Sequence, residues 1–191
     1  MKNKGQLVIW SGPSGSGKGT VLNEALAKYD NLRVSVSATT RKPREGDING
    51  VHYHFITKDE FEKRIEDGAF LEYAQYVGNY YGTLEKVVDD MLDDGYDVVL
   101  EIEVVGAMKV KKKRPDCLML FVAPPSMEEL RRRLSGRGTE SEEEVNKRIN
   151  EAQRELECSK DYDYVIVNDT VEHAAAEMIR IIKEHKKTVQ G

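Results

Sequence analysis

The stretch Gly12-Pro13-Ser14-Gly15-Ser16-Gly17-Lys18-Gly19-Thr20 sets glycines, hydroxyls and one lysine side by side. This combination suits the binding of phosphate. Glycines let a loop curl its backbone N–H groups around anionic oxygens, where a Cβ would block the close approach. Lys18 adds a mobile positive charge for the outer phosphates, and the start of a following helix adds its partial charge. The general pattern is G-x-x-x-x-G-K-[ST]. Here Gly19 stands where the hydroxyl residue is usual and Thr20 follows one place later. The hydroxyl that usually ligates Mg²⁺ is therefore displaced, which leaves Thr20 a weaker hold on the ion through water.

Such a loop needs a strand before it and a helix after it. Leu7-Val8-Ile9-Trp10 supplies the strand, and residues 21–28 read as the helix. Residues 32–37 alternate as a second strand and run into a Pro- and Gly-containing loop rich in cations, residues 38–50. Residues 51–55 alternate as a strand, Thr57-Lys58-Asp59-Glu60 opens a helix as a capping box, and Gly68 closes it. Residues 70–76 and 80–83 then form a hairpin across Val77-Gly78-Asn79. Short strands and turns over 37–87 interrupt a βα rhythm that resumes afterwards. Helix 84–94, strand 97–103, helix 106–113 and strand 117–122 follow, the last buried on both faces. Two helices flank the loop 136–140, a strand covers 164–168, and Thr170 caps a terminal helix. The expected fold is α/β: a parallel sheet flanked by helices, carrying an inserted α+β subdomain. Ligands on such a sheet bind at the carboxyl ends of its strands, where the loop, Ser37, Glu101 to Glu103 and Asn168 all fall.

Composition bounds the partners. At 191 residues, 39% hydrophobic and 33% charged, the chain reads as one globular domain, and its net charge of −5 argues against nucleic acid and acidic membranes. Any anion site must come from a local cluster of Arg and Lys. Cys117 and Cys158 give neither a disulfide framework nor a metal spacing, which favours a reducing cytoplasm. No apolar run is long enough for a membrane span, and the first residues read as no signal peptide. His52 and His54 are expected on one strand face without a third ligand. The run Lys111-Lys112-Lys113-Arg114 is expected at a solvated helix end.

Further motifs stand in order along the chain: Ser37-x-Thr39-Thr40-Arg41-x-Pro43-Arg44-x-Gly46, Gly50-x-x-Tyr53-x-Phe55, Phe70-Leu71-Glu72, Tyr80-Tyr81-Gly82-Thr83, Leu100-Glu101-Ile102, Arg137-Gly138-Thr139-Glu140 and Val167-Asn168-Asp169. Together with the phosphate loop they closely resemble the guanylate kinases, over essentially the whole chain. The resemblance implies a core of residues 1–36, 88–125 and 155–191, a GMP-binding insertion of 37–87 and a helical lid of 126–154. It implies the reaction ATP + GMP → ADP + GDP with Mg²⁺, in purine nucleotide metabolism, with dGMP as a second acceptor. The partners implied are ATP and GMP, with no nucleic acid and no membrane, in a monomer or small homo-oligomer.

It also implies roles. Glu72 reads guanine, because a carboxylate accepts from the neighbouring N1–H and amino donors while adenine N1 would face it unpaired. Ser37, Gly82 and Thr83 complete the base site, and Arg41 and Arg44 hold the GMP phosphate with Tyr53 and Tyr81. Arg137 and Arg148 clamp the ATP phosphates from the lid, and Asn168 stands near the adenine. The family usually carries Asp where Glu103 stands and Gln where Val105 stands; that Asp helps bind GMP or orders the magnesium waters, and Glu103 reaches one methylene further. Two other readings compete: a non-catalytic module of the same fold that binds phosphorylated peptides, and a kinase for AMP, UMP or dTMP. The intact loop with Lys18 argues against the first, and Glu72 with the Ser37-to-Arg44 segment against the second.

Overall fold

The computed structural model describes residues 4–135 and 142–190. Five strands form the main sheet: β1 (Leu7–Ser11), β2 (Leu32–Val34), β7 (Asp97–Glu101), β8 (Leu118–Ala123) and β9 (Tyr164–Val167). Their order is β2-β7-β1-β8-β9 and every pairing is parallel. Side chains alternate between the faces of a strand, and here each face has its own core. Val8, Trp10, Val99, Leu118 and Leu120 pack on α1 (Lys18–Lys28) and α7 (Val171–Gln190). Leu7, Ile9, Leu100, Met119 and Phe121 pack on α3 (Glu85–Asp93) and α4 (Val104–Lys113). With both faces covered, β8 is buried at every residue.

A second sheet joins β3 (Ala38–Thr39), β4 (His54–Phe55), β5 (Phe70–Tyr76) and β6 (Asn79–Leu84) in the order β4-β3-β6-β5. It has a small core of its own with α2 (Lys58–Glu66), in which the Phe61 ring stacks on Phe70 at 4.3 Å and on Tyr80 at 5.1 Å. Helices α5 (Met127–Ser135) and α6 (Glu142–Glu157) pack on each other through Leu130, Leu134, Val145, Ile149 and Ala152. Thr57 caps α2 by accepting from Glu60 N–H at 3.2 Å, as the capping box predicts. Among the described residues no helix is long and apolar enough to cross a membrane.

Several element boundaries differ from the sequence reading. The expected strand 32–37 ends at Val34, and its continuation, Ala38–Thr39, pairs in the other sheet. Continuous alternation hid this crossing between sheets. The expected strand 51–55 shrinks to His54–Phe55; His52 lies in the preceding turn and accepts from Ile48 N–H, so the two histidines do not share a strand. Strand β7 stops at Glu101 and α4 starts at Val104, so Glu103 is the residue that opens a helix rather than a strand end. Cys158 opens a 3₁₀ turn, Cys158–Asp161, that follows α6.

Candidate active site

The phosphate loop leaves β1 at its carboxyl end and enters α1 at Lys18. Gly17 has a left-handed φ of 90°, and a Cβ there would lie 2.4 Å from the Asn168 amide. Only glycine meets both conditions. Asn168, 3% exposed, donates to Ser16 O at 2.7 Å, and Arg133 of α5 bonds Asn168 O at 3.1 Å. Asn168 thus supports the loop's backbone directly. Trp10 Nε1 donates to Lys18 O at 3.1 Å and ties the loop's exit to the core. Lys18 Nζ donates to Gly12 O at 2.6 Å and Pro13 O at 3.2 Å, inside the loop's own curve. Burial pushes the Lys18 ammonium below its ordinary value, and the carboxylates of Glu155, Glu101 and Glu103 act in the opposite direction. The Ser16 hydroxyl is buried with no hydrogen-bond partner. Buried hydroxyls are rarely left so, and an oxyanion in the loop would satisfy this one. Ser14 Oγ accepts from Arg148 Nη2 at 2.5 Å, so α6 already reaches the loop.

The second centre is a cavity of about 350 Å³ between the second sheet and α4. Ser37, Tyr53, Glu72, Tyr81, Gly82 and Glu103 all line it. Pairing of β5 with β6 sets Glu72 opposite Thr83 and Tyr73 opposite Gly82. Thr83 Oγ1 accordingly donates to Glu72 Oε1 at 2.8 Å. Glu72 is 9% exposed, and burial raises its carboxyl above the ordinary range, while the Thr83 hydroxyl and then Lys109 lower it. Glu101 lines the same cavity and also faces Lys18, so the two centres adjoin. Burial raises the Glu101 carboxyl as well.

The arginines expected on the GMP phosphate lie in the loop after β3. Arg41 Nη2 bonds Asp47 Oδ2 at 2.9 Å, and its guanidinium lies 5.4 Å over the Tyr53 ring. Arg44 N–H donates to the same Asp47 oxygen at 2.7 Å, which leads the effects holding that carboxyl below its usual range. Thr20 is exposed on α1, and a Cβ on Gly19 would lie 3.6 Å from Glu101 Oε1. Arg137, with Thr139 and Glu140, falls outside the described residues. Sequence reasoning did not single out Asp47, Gly106, Lys109, Arg133 or Glu155 as site residues; Gly106 entered it only as the start of the helix 106–113, which the structure begins at Val104.

A parallel-sheet core with a phosphate loop at its strand ends, beside a cavity lined by a second sheet, defines a P-loop nucleotide kinase fold. Comparison with known proteins narrows the class. The chain matches the guanylate kinase family over residues 4–185 and belongs to it. It is 50% identical over 186 residues to the guanylate kinase of Clostridioides difficile (strain 630), covering 97% of this chain and 91% of that one. The crystal structure of guanylate kinase from Anaplasma phagocytophilum superposes with a TM-score of 0.73 at 35% identity, over 96% of this chain and 87% of that chain. TT1252 from Thermus thermophilus shares the fold at 18% identity, with a TM-score of 0.53 over 95% and 97% of the two chains.

Proposed function

We infer that the loop and the cavity are the donor and acceptor ends of one phosphoryl transfer, ATP + GMP → ADP + GDP, with dGMP as an alternative acceptor. One observation carries the assignment of the acceptor: Glu72, a buried carboxylate, faces a cavity that adjoins the phosphate loop. One carboxylate oxygen is engaged by Thr83. The remaining acceptor capacity suits guanine's paired donors and leaves adenine N1 unpaired. Ser37, Gly82 and Thr83 frame the base, and Arg41, Arg44, Tyr53 and Tyr81 hold the phosphate. For Arg41 this means that the GMP phosphate takes over the place of Asp47.

The nucleophile is a GMP phosphate oxygen, already anionic near neutral pH, so no general base is required. That oxygen bonds to the γ-phosphorus as the bond to the bridging β-oxygen breaks, and ADP leaves with the electron pair. Catalysis is positioning and charge neutralisation. Lys18 turns from the loop carbonyls to the phosphates, and Arg148, with Arg137 of the lid, clamps them. Mg²⁺ would supply further neutralisation of the phosphate charge. Among the described residues no group of three or more His, Cys, Asp or Glu could hold a metal by itself. Thr20 and the Glu101 and Glu103 carboxylates are the hard-oxygen groups that would hold the ion beside the ATP phosphates.

In this reading residues 37–87 move as an acceptor unit and 126–154 as a lid on the core, supported by the separate apolar clusters of the two parts. The limits at 87 and 154 fall inside α3 and α6, which are the elements that would bend. A cytoplasmic place in purine nucleotide metabolism fits the free cysteines Cys117 and Cys158; burial pushes the Cys117 thiol up to about 11. The chain acts as a monomer or small homo-oligomer, which its mass in solution decides. The activity test is ADP release with ATP and Mg²⁺, offering GMP, dGMP, AMP, UMP and dTMP in turn. Release with the guanine nucleotides alone is expected. A preferred AMP, UMP or dTMP would overturn the acceptor assignment, and no release with any would return the chain to the non-catalytic class.

A further inference from the structure

The acceptor cavity has a wall that belongs to the core. Helix α4 presents Val105, Gly106 and Lys109 to it. A Cβ on Gly106 would lie 3.2 Å from Glu72 Oε2, so the helix backbone itself seats that oxygen. Lys109 stands one turn further on. Its Nζ donates to Tyr73 O at 3.1 Å and lies 5.6 Å over the Tyr73 ring, directly beside Glu72 in β5. Lys113, a further turn along, bonds Phe70 O at 2.5 Å, so the helix is pinned to β5 on both sides of Glu72.

We propose that Lys109 is a positioning residue for the acceptor base: from α4 it holds Glu72 as an ionised carboxylate, and so sets how well the pocket reads guanine as the medium becomes acidic. The proposal rests on Glu72 as the base reader. Its logic is electrostatic. Thr83 bonds Glu72 from β6, and the cavity around it is lined by Tyr81 of β6, Tyr53 of the loop before β4, Glu101 and Glu103 of the β7–α4 junction, and Lys109 of α4. Burial and the Glu103 charge both favour the neutral form of Glu72. A protonated Glu72 carries a hydrogen where guanine N1–H must donate, so the base is lost with the charge. Lys109 is the cation on this wall that opposes them, held in place by the Tyr73 carbonyl. Its own exposure makes the effect modest.

The test compares kcat/KM for GMP against pH in wild type, Lys109→Met, Lys109→Arg and Glu72→Gln, with thermal melting as the folding control. The GMP phosphate titrates identically in every assay, so ratios to wild type cancel it. Lys109→Met is expected to lower kcat/KM for GMP on the acid side by on the order of 3-fold, with the deficit shrinking as the pH rises and KM for ATP unmoved. Lys109→Arg should restore the profile. A deficit that is constant across pH, or no deficit, overturns the proposal. Glu72→Gln separates the two layers. If it leaves the GMP-to-AMP ratio unchanged, the base-reader reading falls and takes this proposal with it. If it collapses the ratio while the Lys109→Met profile stays parallel to wild type, only the role of Lys109 falls.

Discussion

The donor loop and the acceptor cavity both bury a charge, and they support it differently. Lys18 is held by two loop carbonyls, and the loop's own carbonyls accept from the Trp10 and Asn168 side chains, which tie it to the sheet that forms the main core. Glu72 rests on one neighbouring hydroxyl and the flank of a helix from another part of the chain. The donor site is thus a property of the main fold. The proposed acceptor site is assembled from a small sheet with its own core and from α4, and Arg41 beside it is engaged by Asp47. A site built the first way should lose rate when its charge is removed. One built the second way should lose selectivity and acceptor affinity.

Lys18→Ala should have the largest effect. Electrostatic stabilisers of this kind are worth ~3 kcal/mol or more, so kcat should fall by on the order of 10²-fold or more. The variant should melt near wild type, because the carbonyls it releases can turn to water. Near-normal turnover in a folded variant would break the donor assignment.

Glu72→Gln comes next. The amide keeps the shape but sets a donor against a guanine donor, a buried mismatch of ~1–3 kcal/mol that grows when a charge-assisted bond is lost. The expected fall in kcat/KM for GMP is on the order of 10²-fold, with KM for ATP barely changed. Discrimination against AMP should relax, because an amide can donate to adenine N1. An unchanged GMP-to-AMP ratio would show that the cavity reads something else. Arg44→Ala should be milder, raising KM for GMP by roughly 10-fold and KM for ATP little. Equal changes in both constants would mean that the two sites are not separate in the way their cores suggest.

The asymmetry also explains what could be read from the sequence. The loop was legible because its chemistry is local: strand, glycines, lysine and helix follow one another within residues 7–28. The strands and helices of the core were legible for the same reason, since alternation and caps are short-range signals. Ser35 to Ser37 misled because a chain passing between two sheets keeps its alternation while changing partners. Other features depend on distant pairs. Asn168 meets Ser16 across 152 residues of chain, and Gly106 meets Glu72 only when α4 packs on β5. Glu72 was reached by its family motif; that α4 walls it could not be read from either segment alone.

Gly106→Ala offers the smallest and most discriminating change, because its two effects should have opposite signs. Glycine inside a helix costs ~0.5–1 kcal/mol relative to alanine through backbone entropy, and Gly106 lies in the first half of α4. A new Cβ would stand 3.2 Å from Glu72 Oε2, closer than comfortable contact. The atom it meets is the far end of a side chain, so Glu72 can give way by a few tenths of an ångström while the helix keeps its place. Stability should therefore rise slightly or hold. The displaced carboxylate should meet guanine less well, raising KM for GMP by about 2- to 5-fold, since misplacement of a positioning group costs rate steeply. KM for ATP should not move, because no residue of the donor loop lines this cavity. Thermal melting and the two Michaelis constants decide the matter. A variant that loses stability would show the glycine is needed for packing alone, and one that binds GMP normally would show that α4 does not shape the base site.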